Sequence, residues 1–189
     1  MRFFTKNGHK GFTMIELLIA IGVISILTAV SLPGITTWRH NAHLKSAARD
    51  LYSNLQKAKL NAVKTNSEYA VVFNPAGNSY SLVNDSGDGD FSTKGDNTEE
   101  QTVYLNSYGS GVKYGQGSAT TNATSGGGAF PADYVSHTDN LVIFRPNGMV
   151  TNQGYIYLSN DLNQICYAIG TPTISGVIVT KKASGASWQ

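Results

Sequence analysis

One cysteine stands among 189 residues, so no disulfide can close within the chain. A catalytic thiol would need partners that the sequence does not supply. The neighbours of Cys166, Ile165 and Tyr167, instead suggest a buried strand position. Charge is scarce as well: 14 basic and 12 acidic residues make up 14% of the chain. Residues 1–11 hold Arg2, Lys6 and Lys10 and no acid, so without them 11 cations face 12 anions. A chain so near neutrality is not built for bulk electrostatic capture of nucleic acid. No phosphate loop, paired-cysteine metal motif or nucleophile constellation is present, and no cofactor is indicated. Nothing here indicates an enzyme.

The apolar residues are gathered at one end. After a short leader with Arg2, Lys6, His9 and Lys10 comes Gly11, and from Phe12 to Leu32 the chain is almost unbroken hydrophobe. Those 21 residues match the ~20 needed to cross a ~30 Å hydrocarbon core as helix. The cations precede them, which puts residues 1–11 in the cytoplasm and the rest outside. A secretory signal would have a shorter apolar core followed by a small-residue cleavage site. Here the candidate processing residue, Gly11, comes before the apolar run. Glu16 interrupts that run, and a carboxylate in a membrane helix costs ~2.5–3.5 kcal/mol on insertion scales. It stands four residues after Phe12, one helical turn from an amino group that cleavage after Gly11 would create. The two charges pair within one chain or between staggered neighbours, or else Glu16 simply sits at the headgroup boundary.

The stretch Gly11-Phe12-Thr13-Met14-Ile15-Glu16-Leu17-Leu18-Ile19-Ala20, with Pro33 beyond it, resembles the class III leader of type IV pilins and type II secretion pseudopilins. The resemblance implies a prepilin peptidase that cuts between Gly11 and Phe12 and methylates the new amino group of Phe12. It also implies that Glu16 neutralises the amino group of a subunit already in a filament.

Pro33-Gly34 is expected to kink or locally melt the helix. Helical periodicity then resumes, with Leu44, Ala48, Leu51, Leu55, Ala58 and Ala62 forming one apolar stripe. The spacing predicts one long helix from about Phe12 to Asn66, its first half in the membrane and its second half amphipathic. Arg39, Lys45, Arg49, Lys57, Lys59 and Lys64 face Asp50 alone over residues 39–64. That bias fits a solvated face, with nucleic acid or lipid headgroups as the other readings. Beyond Asn66 the pattern turns to β. Strands are expected at 69–73, 80–83, 103–105, 112–114, 141–144, 154–158, 164–169 and 177–180. Residues 107–137, rich in Gly, Ser, Thr and Asn, read as a long, mobile surface loop. The fold class is therefore α+β, a long N-terminal helix packed on an antiparallel sheet.

Val142-Ile143-Phe144-Arg145-Pro146-Asn147-Gly148, then Thr151-Asn152 and Gly154-Tyr155-Ile156-Tyr157-Leu158, is similar to the signature region of GspH/FimT-type minor pseudopilins. The resemblance implies a cleaved leader (1–11), a membrane and filament-core helix (12–35) and a pilin-like head (36–189). It implies a protein of the bacterial inner membrane, single-pass with its head in the periplasm. From there an assembly platform would pass it into a type IV pilus or type II secretion pseudopilus beside other pilins, at initiation or at the tip. The rival function is DNA capture for transformation, through the helix cations and Lys181-Lys182. The family's Gly-Arg-containing basic strand is missing from the ending Thr180–Gln189, which weakens that transfer.

Two further candidates are weaker. Asp85, Asp88 and Asp90 alternate with glycines as a calcium loop would. Yet an EF-hand register begun at Asp88 puts Thr93 where glycine is required, and an acidic solvated loop accounts for the pattern. His40 and His43 share a helical face without a third ligand, and His137 adjoins the glycine-rich segment.

Overall fold

The computed structural model describes residues 11–84, 91, 98–185 and 187–189, with residues 30–34 described by backbone alone. The chain divides into two units, Met1–Thr37 and Trp38–Gln189. One helix, α1, spans Met14–Thr65, close to the span read from periodicity. Lys64 lies in its last turn, where a cation complements the helix dipole. Asn66 follows with φ 54°, the left-handed turn that commonly ends a helix. The local melting expected at Pro33-Gly34 is not found, because α1 continues through both residues. An interior proline lacks one N–H, and that single missing bond is carried by a helix of 52 residues.

Among the described residues of the head, α1 meets two four-stranded antiparallel sheets where the sequence suggested one. The strands are β1 (Tyr69–Asn74), β2 (Ser79–Asn84), β3 (Thr98–Tyr104), β4 (Lys113–Tyr114), β5 (Leu141–Phe144), β6 (Gly154–Ser159), β7 (Cys166–Thr171) and β8 (Val179–Ala183). Their orders are β3-β2-β1-β5 and β4-β6-β7-β8. The hairpin β1–β2 pairs Tyr69 with Asn84 and Asn74 with Ser79 around the expected Pro75-Ala76-Gly77-Asn78 turn. β3 starts five residues earlier than expected. Its Thr98-Glu99-Glu100-Gln101 is an exposed, polar sheet-edge segment without the apolar alternation that marks a half-buried strand.

Sequence pattern fixes the layering. Leu44, Ala47, Ala48, Leu51, Leu55, Ala58 and Ala62 are fully buried, so the predicted stripe is the seam of the head. It packs on Val71, Phe73, Tyr80, Leu82, Val142 and Phe144 of the first sheet and on Ile156, Leu158 and Ile169 of the second. Alternate residues of β6 and β7, namely Tyr155, Tyr157, Cys166 and Ala168, face the other way into a separate cluster with Ala119, Ala123 and Ala183. The cover of that cluster comes from the segment expected to be a mobile surface loop. Residues 107–137 have little regular structure but are packed. The Ala123 N–H donates to the Tyr157 hydroxyl at 3.0 Å. Phe130 meets the Tyr157 ring edge-on at 4.9 Å between centroids. Trp188 donates from Nε1 to the Thr121 carbonyl at 2.9 Å. Short side chains at Ala119 and Ala123 let the backbone lie against the sheet, which composition alone does not reveal.

His137, at the end of this segment, is buried, stacked on Phe73 and 3.1 Å from Thr171 Oγ1 through Nε2. Nδ1 has no partner. Burial holds its pKa down at about 4.

Two outcomes follow for the full chain in detergent. Leu51→Ala should lower stability by about 2–5 kcal/mol, the usual cost of such a truncation; an unchanged melting temperature would remove Leu51 from the core. His137 takes up a proton more readily unfolded than folded, so its contribution is complete above pH 6.5 and falls away towards pH 4. The loss amounts to roughly 3 kcal/mol, so the fall in melting temperature across that window should be smaller in His137→Gln.

Candidate functional site

The N-terminal site is built on the start of α1. The Glu16 N–H donates to Thr13 Oγ1 at 3.2 Å, and the Thr13 N–H donates to Glu16 Oε2 at 3.5 Å. This is a capping box, in which residue and helix start satisfy each other's free N–H groups. Thr13-Met14-Ile15-Glu16 has its sequence signature, which reading Glu16 as a charge alone overlooks. The carboxylate also lies where the helix dipole is positive. Farther along, the Ser25 and Thr28 hydroxyls donate to the carbonyls of Ile21 and Ile24. The described polar side chains of this stretch are thus satisfied within it.

From Phe12 to Leu27 every described large apolar side chain is more than half exposed. A helix apolar on all sides has its stable surroundings in lipid or among other helices. Among the described residues no helix is long and apolar enough to cross a membrane. The apolar stretch with described side chains, Met14–Ala29, holds 16 residues, below the ~20 required. Gly11 has no neighbour within 4 Å of where a Cβ would stand, and its φ is not in the left-handed region.

The other candidates separate. Asp85, Asp88 and Asp90 lie outside the described residues. Among the described residues no three His, Cys, Asp or Glu side chains converge on a metal position. His43 is 3.2 Å from Ser110 Oγ through Nδ1, whereas His40 Nδ1 is buried without a partner. Lys181 and Lys182 lie on opposite faces of β8. Lys181 donates to the Ala123 carbonyl at 2.8 Å and stands 5.3 Å over the Tyr155 ring. Lys182, its neighbour on β8, projects to the opposite face. Cys166 is buried, and burial pushes its thiol up to about 12.

A long N-terminal helix with an apolar first half, continuing into a head of antiparallel sheets, defines a pilin-like protein. Residues 6–32 match the prokaryotic N-terminal methylation motif. Residues 47–171 match the type II transport protein GspH family, and the chain belongs to that family. Over 60 residues it is 34% identical to the competence protein ComGC of Bacillus subtilis (strain 168). That match takes in 32% of this chain and 59% of the relative's length. Among solved structures it is similar to the minor pseudopilin EpsH from the type 2 secretion system of Vibrio cholerae, with TM-score 0.49, 10% identity and coverage of 73% of this chain and 95% of that one. It is also similar to the type IV minor pilin FimU of Pseudomonas aeruginosa PAO1, with TM-score 0.48, 12% identity and coverage of 75% and 90%.

A thiol so buried should be inert. Cys166 in the folded full chain should react with a maleimide at least about a hundredfold more slowly than after unfolding, because the thiolate is the reactive form. Equal rates would show an accessible thiol.

Proposed function

We propose that this protein is a minor pilin or pseudopilin subunit stored in the bacterial inner membrane and then assembled into a type IV pilus or type II secretion pseudopilus. The observation that carries the reading is the exposed, all-round apolar surface from Phe12 to Leu27, headed by a single carboxylate. Lipid suits that surface before assembly, and the same helix of neighbouring subunits suits it afterwards. The helix of residues 12–35 then serves as the single membrane span, with the head of 36–189 on the periplasmic side.

A prepilin peptidase cuts between Gly11 and Phe12 and methylates Phe12 in this scheme. Open space around Gly11 supports it: the described chain places no steric demand for glycine there, so a demand would come from an outside enzyme. Cleavage creates an amine next to the Thr13 N–H that already donates to Glu16. In a fibre core that amine needs an anion, since an unpaired buried ion costs several kcal/mol. Glu16 supplies it, to its own chain or a neighbour's. An inner-membrane assembly platform and other pilins are the partners, and initiation or the tip is the place. DNA capture has less support, because Lys181 is engaged within the head and Lys182 projects to the opposite face of β8 from it.

Mass spectrometry of protein from native membranes should give a first residue of N-methylated Phe12. A start at Met1, or beyond Leu32, would overturn the reading. At equal membrane abundance, Glu16→Gln should be cleaved normally but recovered with sheared fibres or partner pseudopilins about tenfold less. Undiminished recovery would mean that Glu16 serves only its own helix start.

A further inference from the structure

The chain has two tryptophans, and the fold treats them in opposite ways. Trp188 packs against the Tyr157 ring, and its indole N–H donates to the Thr121 carbonyl. Trp38, on α1, is 70% exposed. Among the described residues no ring contact or hydrogen bond engages its indole. Tryptophan is the side chain for which this is least favourable in water, since the ring is large and apolar and its N–H seeks an acceptor. Its neighbour Arg39 is exposed as well, and among the described residues it forms no ion pair.

Position along the helix is a second, independent observation. The apolar run Phe12–Leu32 is centred on Gly22, and Trp38 follows 16 residues later on the same unbroken helix. At about 1.5 Å per residue the Trp38 backbone stands ~24 Å beyond the middle of the span. The usual tilt of ~20° reduces that to ~23 Å. The headgroup layer ends ~20–22 Å from the bilayer centre. Side chains of a helix lean back over the turn before them, which lowers the indole by several ångströms into that layer. The long stem of Arg39 lets its guanidinium reach the same depth. Charge agrees: from Ile35 to Arg49 the chain carries Arg39, Lys45 and Arg49 and no acid.

We propose that Trp38 and Arg39 form an interfacial anchor, which seats the indole among the outer lipid headgroups, sets the guanidinium on lipid phosphate and so fixes the depth of the stored subunit. This rests on the membrane-storage reading given above and names what the helix meets as it leaves the bilayer. An amphipathic ring gains at this boundary because one end is apolar and the other is wet. A guanidinium takes phosphate oxygens through two parallel N–H groups. A protein neighbour is the poorer occupant in storage, because headgroups fill this depth on every side of a single helix. Nucleic acid fits less well still, since it offers the indole no apolar boundary.

The test places the full chain in nanodiscs of phosphatidylcholine, with or without phosphatidylglycerol. The acyl tails are brominated either near the glycerol or near the chain end. Trp38 emission is isolated by subtracting the spectrum of Trp38→Phe, which leaves Trp188 in place. It should be blue-shifted from that of an indole in water. Lipids brominated near the glycerol should quench it at least about twofold more than those brominated near the chain end. In discs with phosphatidylglycerol, Arg39→Glu should weaken that quenching, whereas Arg39→Lys retains it. Both residues are exposed, so the melting temperature should not change. Deeper quenching that matches or exceeds the shallow overturns the proposal. So does quenching by acrylamide as strong as for a free indole, and indifference to Arg39→Glu removes the phosphate contact. If the chain elutes with the discs while Trp38 stays in water, the anchor is wrong and the storage reading stands. If the chain does not enter discs at all, that reading fails first.

Discussion

The buried stripe of α1 is the constraint on which the head depends. Leu44, Leu51 and Leu55 supply volume, and Ala47, Ala48, Ala58 and Ala62 supply close approach. Each buried leucine contributes about 1.5–3 kcal/mol. The alanines contribute little area but let strands from two sheets share one helix surface. Larger residues at those positions would separate helix from sheets, and Val142, Phe144, Ile156 and Leu158 would lose their common floor. The flanks of the stripe follow from the same geometry. Whatever lies a quarter turn from it sits at a sheet edge, with Asp50, Ser53 and Asn54 on one flank and Lys45, Arg49 and Tyr52 on the other.

β6 shows how the second sheet takes cover on both faces. Ile156 and Leu158 point to the helix while Tyr155 and Tyr157 point away. Strands buried on both sides lose clean alternation, and Gly154-Tyr155-Ile156-Tyr157-Leu158-Ser159 reads as one apolar run. A sheet with its tyrosine face bare would expose a large apolar patch. The long segment before β5 and the chain's final residues remove that exposure, clamped at Tyr157, Lys181 and Trp188.

Legibility in the sequence followed periodicity. The helix, its seam and the β1–β2 hairpin were readable because a repeat of 3.6, or two strands around a proline turn, leaves a local mark. Strand β3 begins ahead of its apolar signal at Val103 because an exposed edge needs no apolar alternation. The packing of 107–137 is not legible because it is held by single residues: Ala119 and Ala123 by smallness, Phe130 by reach, and Trp188 from outside the segment. Nothing periodic links them, and polar composition was taken for exposure. The split of the strands into two sheets depends on pairings far apart in sequence. At the N-terminus the capping box is legible in the spacing of Thr13 to Glu16, a signature that is hidden when Glu16 is taken as a charge alone.

The capping box also bears on how Glu16 would serve two states on the proposed reading. In the single chain its carboxylate accepts from Thr13 at 3.5 Å, the long limit of such a bond. A cap of this kind is worth about 0.5–2 kcal/mol, enough to define the helix start in an exposed setting. A methylated amine in a fibre core presents a full charge, and charge-assisted bonds are shorter and roughly twice as strong as neutral ones. Leaving either ion unpaired there costs several kcal/mol more. Transfer of the carboxylate from Thr13 to an amine is therefore favourable only where water is excluded. On that reading the released Thr13 N–H would adjoin the amine that replaces it, so the helix start would keep its anion nearby. On the proposed reading, one glutamate holds the helix end in the isolated subunit and gives up that weak bond when a neighbour arrives.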